Sequence, residues 1–393
     1  MAFKLDLFCP KERFLILEIT PEGTSGLFMS VDEDRNVIFE KLEKKIDIKK
    51  FLKSPIGNVS RRSWEGRYLF KSHRKIIAAA DPALATTIPV PLDLKRESRT
   101  QSGSITMVEF ENLFAQAMTT IFNQCRSEAA RRLNMEDIHA ILIATKASHF
   151  KVDDRIVQSP IGCPGKKISF LLELIFTKRE IFEEFKPLFG APEEFFFAES
   201  PQVRLVSIAR VRRFPLALIV AADEAASLFV LAKTSGGHDV LYREKFAWSF
   251  SSIFTAIQND FHVDISSARE LYAVYCRHEM SPLAARVFKK TIQPALNAFF
   301  DEVKKSKVRG SIYVDVPYDM PFDLPFRAAG TLIENVPISE ILSEIDFSVG
   351  MKEFADRPGV LFRYLAPFLE AYFDKNNSEI NQKLRRRLHW LAQ

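Results

Sequence analysis

The stretch from His149 to Thr177 constrains the fold more than any other part of the sequence. It reads HFKVDDRIVQSPIGCPGKKISFLLELIFT. Polar and apolar residues alternate on both sides of Asp153-Asp154, which predicts two short strands joined by a tight turn. Proline and glycine in residues 159–165 predict an irregular loop. The nearly continuous apolar run at 168–177 predicts a strand buried on both faces, so the stretch indicates a small antiparallel sheet.

The length and composition are those of a globular protein with a sizeable core. The chain has 393 residues, 47% of them hydrophobic and 27% charged, which allows two to three domains of about 150 residues each. No apolar run approaches the roughly 20 residues that a membrane-spanning helix needs. Charged residues interrupt the first 14 residues, unlike a signal peptide. We therefore expect a cytoplasmic protein.

Cysteine and glycine usage exclude several kinds of site. The four cysteines lie far apart and none forms a CxxC pair, so we expect neither disulfides nor a structural zinc site. The sequence has 35 phenylalanines but only 14 glycines, about half of the usual glycine share of roughly 7%. Loops that bind phosphate need glycine because the backbone must approach the oxyanion closely.

Strand and helix patterns predict a mixed α/β chain. A strand–turn–strand–turn–strand pattern runs from Arg13 to Glu40, and further strands are predicted at 215–220, 228–231 and 240–247. Between them, Thr106 and Glu109 form a capping box at the start of an amphipathic helix that extends to about Asn134. The order of these elements predicts one domain with a subdomain inserted into it, followed by a second domain.

The loop in the first stretch resembles a motif of the bacterial cell-division protein FtsA. There, a pattern y-x-V-D-g … P-i-G-m-x-G-x-x-l closes an extra subdomain of an actin-like protein. The matching residues in this sequence are Phe150, Val152, Asp153, Asp154, Pro160, Ile161, Gly162, Cys163 and Gly165. The element order of nearly the whole chain is also similar to FtsA and to its pilus relative PilM.

The resemblance implies an α/β, actin-like fold with two ribonuclease-H-like domains, an inserted αβ subdomain and a C-terminal amphipathic helix. The implied boundaries are 1–75 for the first domain, 76–178 for the insert, 179–210 for the first domain continued, 211–349 for the second domain, 350–375 for the return to the first domain, and 376–393 for a linker and tail helix.

Several positions that match nucleotide-binding residues of that family have changed. The acidic position of the first phosphate loop is Glu18, but Pro21 and Glu22 replace the glycine-serine turn, and Pro21 has no N–H to donate. Thr24 and Ser25 follow in sequence. The alternative to a nucleotide-binding loop is that this segment is a hairpin turn with no ligand.

The second phosphate loop and the ribose and adenine positions have changed too. By strand register, Ala221 takes the place of the catalytic Asp, and the family's three glycines match 223–225, which begin with Asp223; Ser227 follows. One carboxylate at about 4 Å from a phosphate costs roughly 4 kcal/mol at an effective dielectric near 20. Arg269 and Tyr272 stand at the family's Glu and Lys positions. We therefore expect a pseudo-ATPase that is not an enzyme, with weak ATP/Mg binding at most.

The C-terminal residues 379–393 read EINQKLRRRLHWLAQ, with apolar residues on one helical face. A basic amphipathic helix with a tryptophan is typical of a lipid interface. The predicted membrane-binding residues are Ile380, Lys383, Leu384, Arg385, Arg386, Arg387, Leu388, Trp390 and Leu391. The bland alternative is a helix packed on the body of the protein. No base-reading motif accompanies the basic residues, so we expect no nucleic-acid partner.

The resemblance implies an adaptor on the cytoplasmic face of the inner membrane. On the main interpretation, the protein binds the membrane through its tail and thereby holds a division filament such as FtsZ against it. The resemblance also allows the chain to form a homopolymer. The alternative is a PilM-like scaffold of a type IV pilus or secretion platform, in which the insert binds a peptide of an inner-membrane protein and the tail is a docking helix. A third interpretation is an active actin-like ATPase that uses Glu18, Thr24 and Asp223 as replacement contacts.

Overall fold

The computed structural model describes two compact units. The first comprises Met1–Arg204 with Leu342–Gln393, and the second comprises Leu205–Ile341. The described residues are 12–53, 74–96, 103–188, 195–233, 239–308, 310–328, 330–345, 347–349, 358–373, 380–381 and 383–384.

The strands are short to medium in length and are numbered along the chain. They are β1 (Glu12–Thr20), β2 (Gly23–Val31), β3 (Asn36–Glu43), β4 (Arg74–Ala80), β5 (Ala85–Lys95), β6 (Ala140–Val152), β7 (Arg155–Ile156), β8 (Lys167–Lys178), β9 (Phe195–Glu199), β10 (Leu216–Ala221), β11 (Ala226–Lys233), β12 (Asp239–Phe246), β13 (Ser311–Asp315), β14 (Phe326–Ala328), β15 (Thr331–Glu334) and β16 (Ser348–Val349).

The helices vary from one turn to more than six. They are α1 (Ile48–Lys53), α2 (Met107–Leu133), α3 (Arg179–Phe185), α4 (Ser200–Ala209), α5 (Phe250–Phe261), α6 (Ile265–Cys276), α7 (Pro282–Lys305), α8 (Ile338–Glu344) and α9 (Pro358–Phe373).

Each unit contains a six-stranded sheet, and the two sheets share a five-strand core of the same order, with the sixth strand at opposite edges. In the first unit the order is β16-β3-β2-β1-β4-β9, and in the second it is β12-β11-β10-β13-β15-β14. In the first, β1 pairs antiparallel with β2 and parallel with β4. In the second, β10 pairs antiparallel with β11 and parallel with β13. Three antiparallel strands followed by two parallel ones, in the order 3-2-1-4-5, make each core a ribonuclease-H-like sheet. Two such sheets in one chain place the protein in the α/β, actin-like fold class.

The inserted subdomain is a four-stranded sheet in the order β5-β8-β6-β7, covered by α2. Its core is rich in phenylalanine, as the composition indicates: the Phe150 and Phe170 rings lie 5.4 Å apart, and the Phe110 ring lies 5.7 Å from that of Phe170. Side chains of α2 and of the sheet are buried together because both elements are amphipathic.

The predicted start of the insert at residue 76 differs from the structure. Residues 76–80 belong to β4, which pairs with β1 and with β9 in the first six-stranded sheet. The insert's own sheet begins with β5 at Ala85. A buried strand pattern does not say which sheet the strand joins, because that choice depends on distant partners.

Candidate functional site

The position of the first phosphate loop is a two-residue hairpin turn. Pairing between β1 and β2 continues to Thr20 and Gly23, so only Pro21 and Glu22 form the turn. The Thr20 hydroxyl donates to the Gly23 carbonyl at 3.0 Å. The turn offers one backbone N–H beside an exposed carboxylate, whereas a phosphate-binding loop presents several backbone N–H groups and no negative charge.

Glu18 is buried and paired with two arginines. Its side chain lies 3.2 Å from the guanidinium of Arg204 and 3.6 Å from that of Arg363. Burial lowers the pKa of Arg204 to about 10, because removal from water outweighs the attraction of the Glu18 carboxylate. Glu18 therefore serves as the anion of a buried charge cluster. Sequence reasoning missed Arg204, although an arginine inside an otherwise apolar helix is a signal that could have indicated a buried ion pair.

Thr24 and Ser25 lie in β2 rather than in a loop. The Thr24 carbonyl accepts from the backbone N–H of Ile46 at 2.7 Å. The Ser25 and Tyr364 hydroxyls are 2.8 Å apart, and burial raises the pKa of Tyr364. Both residues are thus engaged by the first unit itself.

In the second unit, a tight turn occupies the position of the second phosphate loop. Ala221 ends β10 opposite Ala226, and the N–H of Ala222 donates to the Ala225 carbonyl at 2.8 Å. The Asp223 carbonyl accepts from the N–H of Ser251 at the start of α5, at 2.7 Å. This bond uses a helix N-terminal donor of the kind that binds phosphate in other folds.

The Asp223 carboxylate is held by two side chains from other elements. It forms an ion pair with Arg269 of α6 and accepts a hydrogen bond from the Tyr318 hydroxyl at 2.8 Å. The Arg269 guanidinium also lies 5.7 Å from the centre of the Phe254 ring. Burial, followed by the Asp223 hydrogen bond, raises the pKa of Tyr318 to about 12. We call Asp223, Arg269, Tyr272 and Tyr318 the aromatic lock.

Tyr272 is the most deeply buried member of the aromatic lock. Its hydroxyl donates to the Asp319 carbonyl at 2.8 Å, and burial raises its pKa. Tyr318 packs edge-on against the rings of Phe250 and Phe254, at 5.0 and 5.1 Å. Aromatic side chains thus fill the space around the turn. Separately, Ser227 lies in β11 and accepts from Arg243 at 3.4 Å.

The structure brings three predicted residues together and leaves the others apart. Asp223, Arg269 and Tyr272 lie together in the aromatic lock. Its fourth member, Tyr318, donates a hydrogen bond to Asp223 and was missed by sequence reasoning. Glu18, Thr24 and Ser25 belong to the first unit, and Ala221 and Ser227 to strands. These groups do not fit Mg-ATP: the turns carry carboxylates, lack glycine at 223–225, and have their polar atoms bonded within each unit. In the described residues, no group of three or more His, Cys, Asp or Glu is placed to hold a metal.

A polar network joins the insert to the rest of the first unit. The N–H of Thr87 in β5 donates to the Glu199 carboxylate at 2.7 Å, and its hydroxyl donates to the Gln202 side chain at 2.7 Å. On β6, Lys146 forms an ion pair with Glu370 of α9. Buried hydrogen-bond networks of this kind favour one arrangement of the parts that they connect.

The C-terminal segment packs against the insert, which corrects part of the membrane prediction. Ile380 and Leu384 are 5% and 1% exposed and belong to the core of the inserted subdomain. These two side chains therefore do not face lipid in this structure, because the insert already covers them. Lys383 is half-buried. The other predicted membrane-binding residues, Arg385, Arg386, Arg387, Leu388, Trp390 and Leu391, lie outside the described residues.

Asn381 fastens this segment to the sheet. Its side-chain oxygen accepts from the N–H of Ala147 at 2.8 Å, and its amide nitrogen donates to the Ala147 carbonyl at 3.3 Å. None of the helices in the described ranges is both long enough and apolar enough to cross a bilayer.

Comparison with known proteins gives likenesses of fold only. No family model and no curated protein matches the sequence. Among solved structures, a PilM–PilN type IV pilus biogenesis complex is 13% identical, with 92% of this chain and 98% of that chain covered and a TM-score of 0.49.

Two further structures are similar at lower scores. The cytoplasmic domain of EpsL, an inner-membrane component of the type II secretion system of Vibrio cholerae, is 6% identical over 85% of this chain and 94% of its own, with a TM-score of 0.32. A Bacteroides thetaiotaomicron protein with an actin-like ATPase fold is 11% identical over 85% and 96%, with a TM-score of 0.33.

Proposed function

We propose that this chain is an actin-fold scaffold that does not hydrolyse ATP and that serves a pilus or secretion platform at the inner membrane. The observation that carries the proposal is the aromatic lock. Asp223, the side chain that begins the second phosphate-loop position, is already neutralised by Arg269 and bonded to Tyr318. Side chains of the same protein therefore occupy the contacts that a phosphate would need at this turn.

Binding a triphosphate at this turn would require these contacts to break. A phosphate would meet the Asp223 carboxylate, and displacing that carboxylate would leave Arg269 and the half-buried Tyr318 hydroxyl without this partner. Each lost hydrogen bond to a charged group costs about 1.5 to 3 kcal/mol. The two-residue turn at Pro21-Glu22 adds no compensating N–H donors. We therefore infer that the fold is retained for its surfaces rather than for turnover.

The position of the C-terminal segment favours a pilus or secretion role over a division role. The division interpretation needs a tail whose apolar face is available to lipid. Burial of Ile380 and Leu384 in the insert supports the alternative, in which the tail is a docking helix. The similar PilM structure is that of a PilM–PilN complex, and EpsL is an inner-membrane component of a type II secretion system. By analogy, we propose that this chain binds the cytoplasmic segment of an inner-membrane protein through its inserted subdomain.

The test is a binding comparison with purified full-length chain. The cytoplasmic segments of pilus and secretion inner-membrane proteins from the same genome would each be titrated against it, with the division filament protein FtsZ as the comparison. We expect a saturable complex with at least one of the former and none with FtsZ. Saturable binding to FtsZ alone would overturn the proposal and restore the division interpretation.

Flotation with anionic liposomes separates the two modes of membrane attachment. We expect the full-length chain to float only when the membrane carries its partner segment. Flotation on protein-free liposomes that is abolished by deletion of residues 379–393 would instead support direct insertion of the tail.

A further inference from the structure

One carboxamide satisfies both backbone groups of a strand residue. Asn381 accepts from the N–H of Ala147 and donates to its carbonyl, and both bonds are buried. A strand pairs in this way with its neighbour, where the N–H and C=O of one residue bond to one partner residue. Asn381 therefore takes the place that a backbone segment would take beside β6.

In the described residues, the outer edge of β6 pairs with another strand over only a short part of its length. On one side, β6 pairs with β8 along most of its length. On the other side, β7 pairs with it only at Lys151 and Val152. At Ala147, the groups that face away from β8 meet Asn381. An open strand edge is a template on which another peptide can bind through main-chain hydrogen bonds.

Two apolar side chains anchor the segment beside this edge. Ile380 and Leu384 are spaced one helical turn apart and enter the same buried cluster as Phe150 and Phe170. Asn381 lies between them in sequence. The described part of the segment is helical, so its binding pattern is Ile-Asn-x-x-Leu. Two anchors and one bidentate hydrogen bond are the recognition elements of a short peptide ligand.

We propose that residues 380–384 are an exchangeable self-ligand, and that a partner's peptide with the same Ile-Asn-x-x-Leu chemistry replaces them at the β6 edge. This deepens the proposed function by identifying the docking site and a competitor built into the chain. Six residues, 374–379, separate the segment from the end of α9. A tether this short holds the self-ligand at an effective concentration of about millimolar, so only a partner that binds well at this edge opens the site.

The experiment uses a fluorescent peptide with the sequence of residues 378–387, SEINQKLRRR, and fluorescence anisotropy. The full-length variant Ile380→Asp/Leu384→Asp releases the self-ligand. We expect it to bind the peptide at least about tenfold more tightly than the wild-type chain does, since the intramolecular competitor is lost. A peptide with the equivalent of Asn381→Ala should bind at least about tenfold more weakly, because two buried backbone groups lose their partner.

The matched control places the same substitutions on exposed apolar residues of the insert. Val108 and Ile156 are 67% and 83% exposed, and Val108→Asp/Ile156→Asp should leave peptide binding as in the wild type. Equal binding by wild type and the released variant, with both folded by circular dichroism, would overturn the proposal.

Hydrogen exchange gives a second readout that does not depend on the double variant. In full-length Asn381→Ala, the amide of Ala147 should exchange at least about tenfold faster, while amides of β8 remain protected. Unchanged protection at Ala147 would also overturn the proposal. If the peptide binds as expected but no cytoplasmic segment of an inner-membrane protein binds, the result supports the self-ligand and contradicts the proposed pilus or secretion function.

Discussion

At the scale of single residues, Arg96 shows how one buried charge organises a loop that looks like a functional motif. Its guanidinium bonds to both carboxylate oxygens of Glu109, at 2.8 and 2.9 Å. It also donates to the carbonyls of Gly103 and Gly165. Arg96 thus connects the Pro/Gly loop at 159–165 to the start of α2. In this chain those contacts give the loop a structural role.

We predict that Arg96→Met lowers the free energy of unfolding by about 3 kcal/mol, because Glu109 and two carbonyls lose a buried donor. The measurement is the shift in the urea unfolding midpoint followed by circular dichroism. Arg131→Met is the control: Arg131 pairs with Glu128 at the surface and is 73% exposed, so its loss should leave the unfolding midpoint nearly unchanged. Equal shifts for the two variants would show that Arg96 is not a structural anchor.

The aromatic lock makes a pH-dependent prediction at the same scale. Tyr318 has a pKa raised from 10 to about 12 in the folded chain. The folded state therefore holds this proton more tightly than the unfolded state does. Its contribution to stability is complete below about pH 10 and is lost as the pH rises from 10 through 12.

We therefore expect Tyr318→Phe to reduce the loss of stability between pH 10 and 11 relative to the wild type, as measured by urea unfolding at each pH. Other buried tyrosines titrate in both proteins, so the difference between the two isolates Tyr318. Identical pH profiles would contradict a lock that is bonded through this hydroxyl.

At the scale of secondary-structure elements, the hairpin at Asp153-Asp154 explains the pattern of its motif. Both residues have positive φ, 47° and 65°, as a two-residue type I′ turn requires. The Asp153 carboxylate accepts from the N–H groups of Lys166 and Lys167, each at 2.9 Å from an oxygen, and these bonds lower its pKa. The turn is thereby fixed to the end of the Pro/Gly loop.

Gly165 is required by the close approach of this hairpin. A Cβ at position 165 would overlap the Val152 side chain and lie 3.1 Å from the Asp153 carboxylate. We predict that Gly165→Ala destabilises the chain by about 1 to 3 kcal/mol, as overpacking against a buried β-branched residue does. Thermal unfolding with Gly359→Ala as the control tests this. A Cβ at position 359 in α9 would meet no atom within 4 Å, and a result in which both variants melt alike would contradict the packing argument.

Local features were predictable at this scale, and pairings between distant elements were not. The Thr106 cap accepts from the N–H of Glu109 at 3.2 Å, as the capping box predicts. The Asp153-Asp154 turn is confirmed because turn chemistry is written in adjacent residues. By contrast, the sequence places most of β4 in the insert, whereas it pairs with β1 and β9, because its apolar pattern is the same whichever sheet it joins.

At the scale of the whole molecule, the sequence indicates the fold through element order more than through composition. The family resemblance, which rests on that order, implies two ribonuclease-H-like domains, and the structure has two sheets that share a five-strand core. The site was predictable only in part. The motif positions identified Asp223, Arg269 and Tyr272, but not that Asp223 bonds to Arg269 and to Tyr318, because those contacts join residues 46 and 95 positions apart. The amphipathic pattern of the tail likewise could not distinguish a lipid surface from the insert.

The central claim is that the chain keeps an actin-like fold whose phosphate-loop positions are closed by its own side chains. Isothermal titration calorimetry of Mg-ATP into the full-length protein tests it most directly, up to about 1 mM ATP, which detects any site worth roughly 4 kcal/mol of binding or more. The account predicts no saturable heat. A saturable isotherm, above all one with a micromolar dissociation constant, would contradict it.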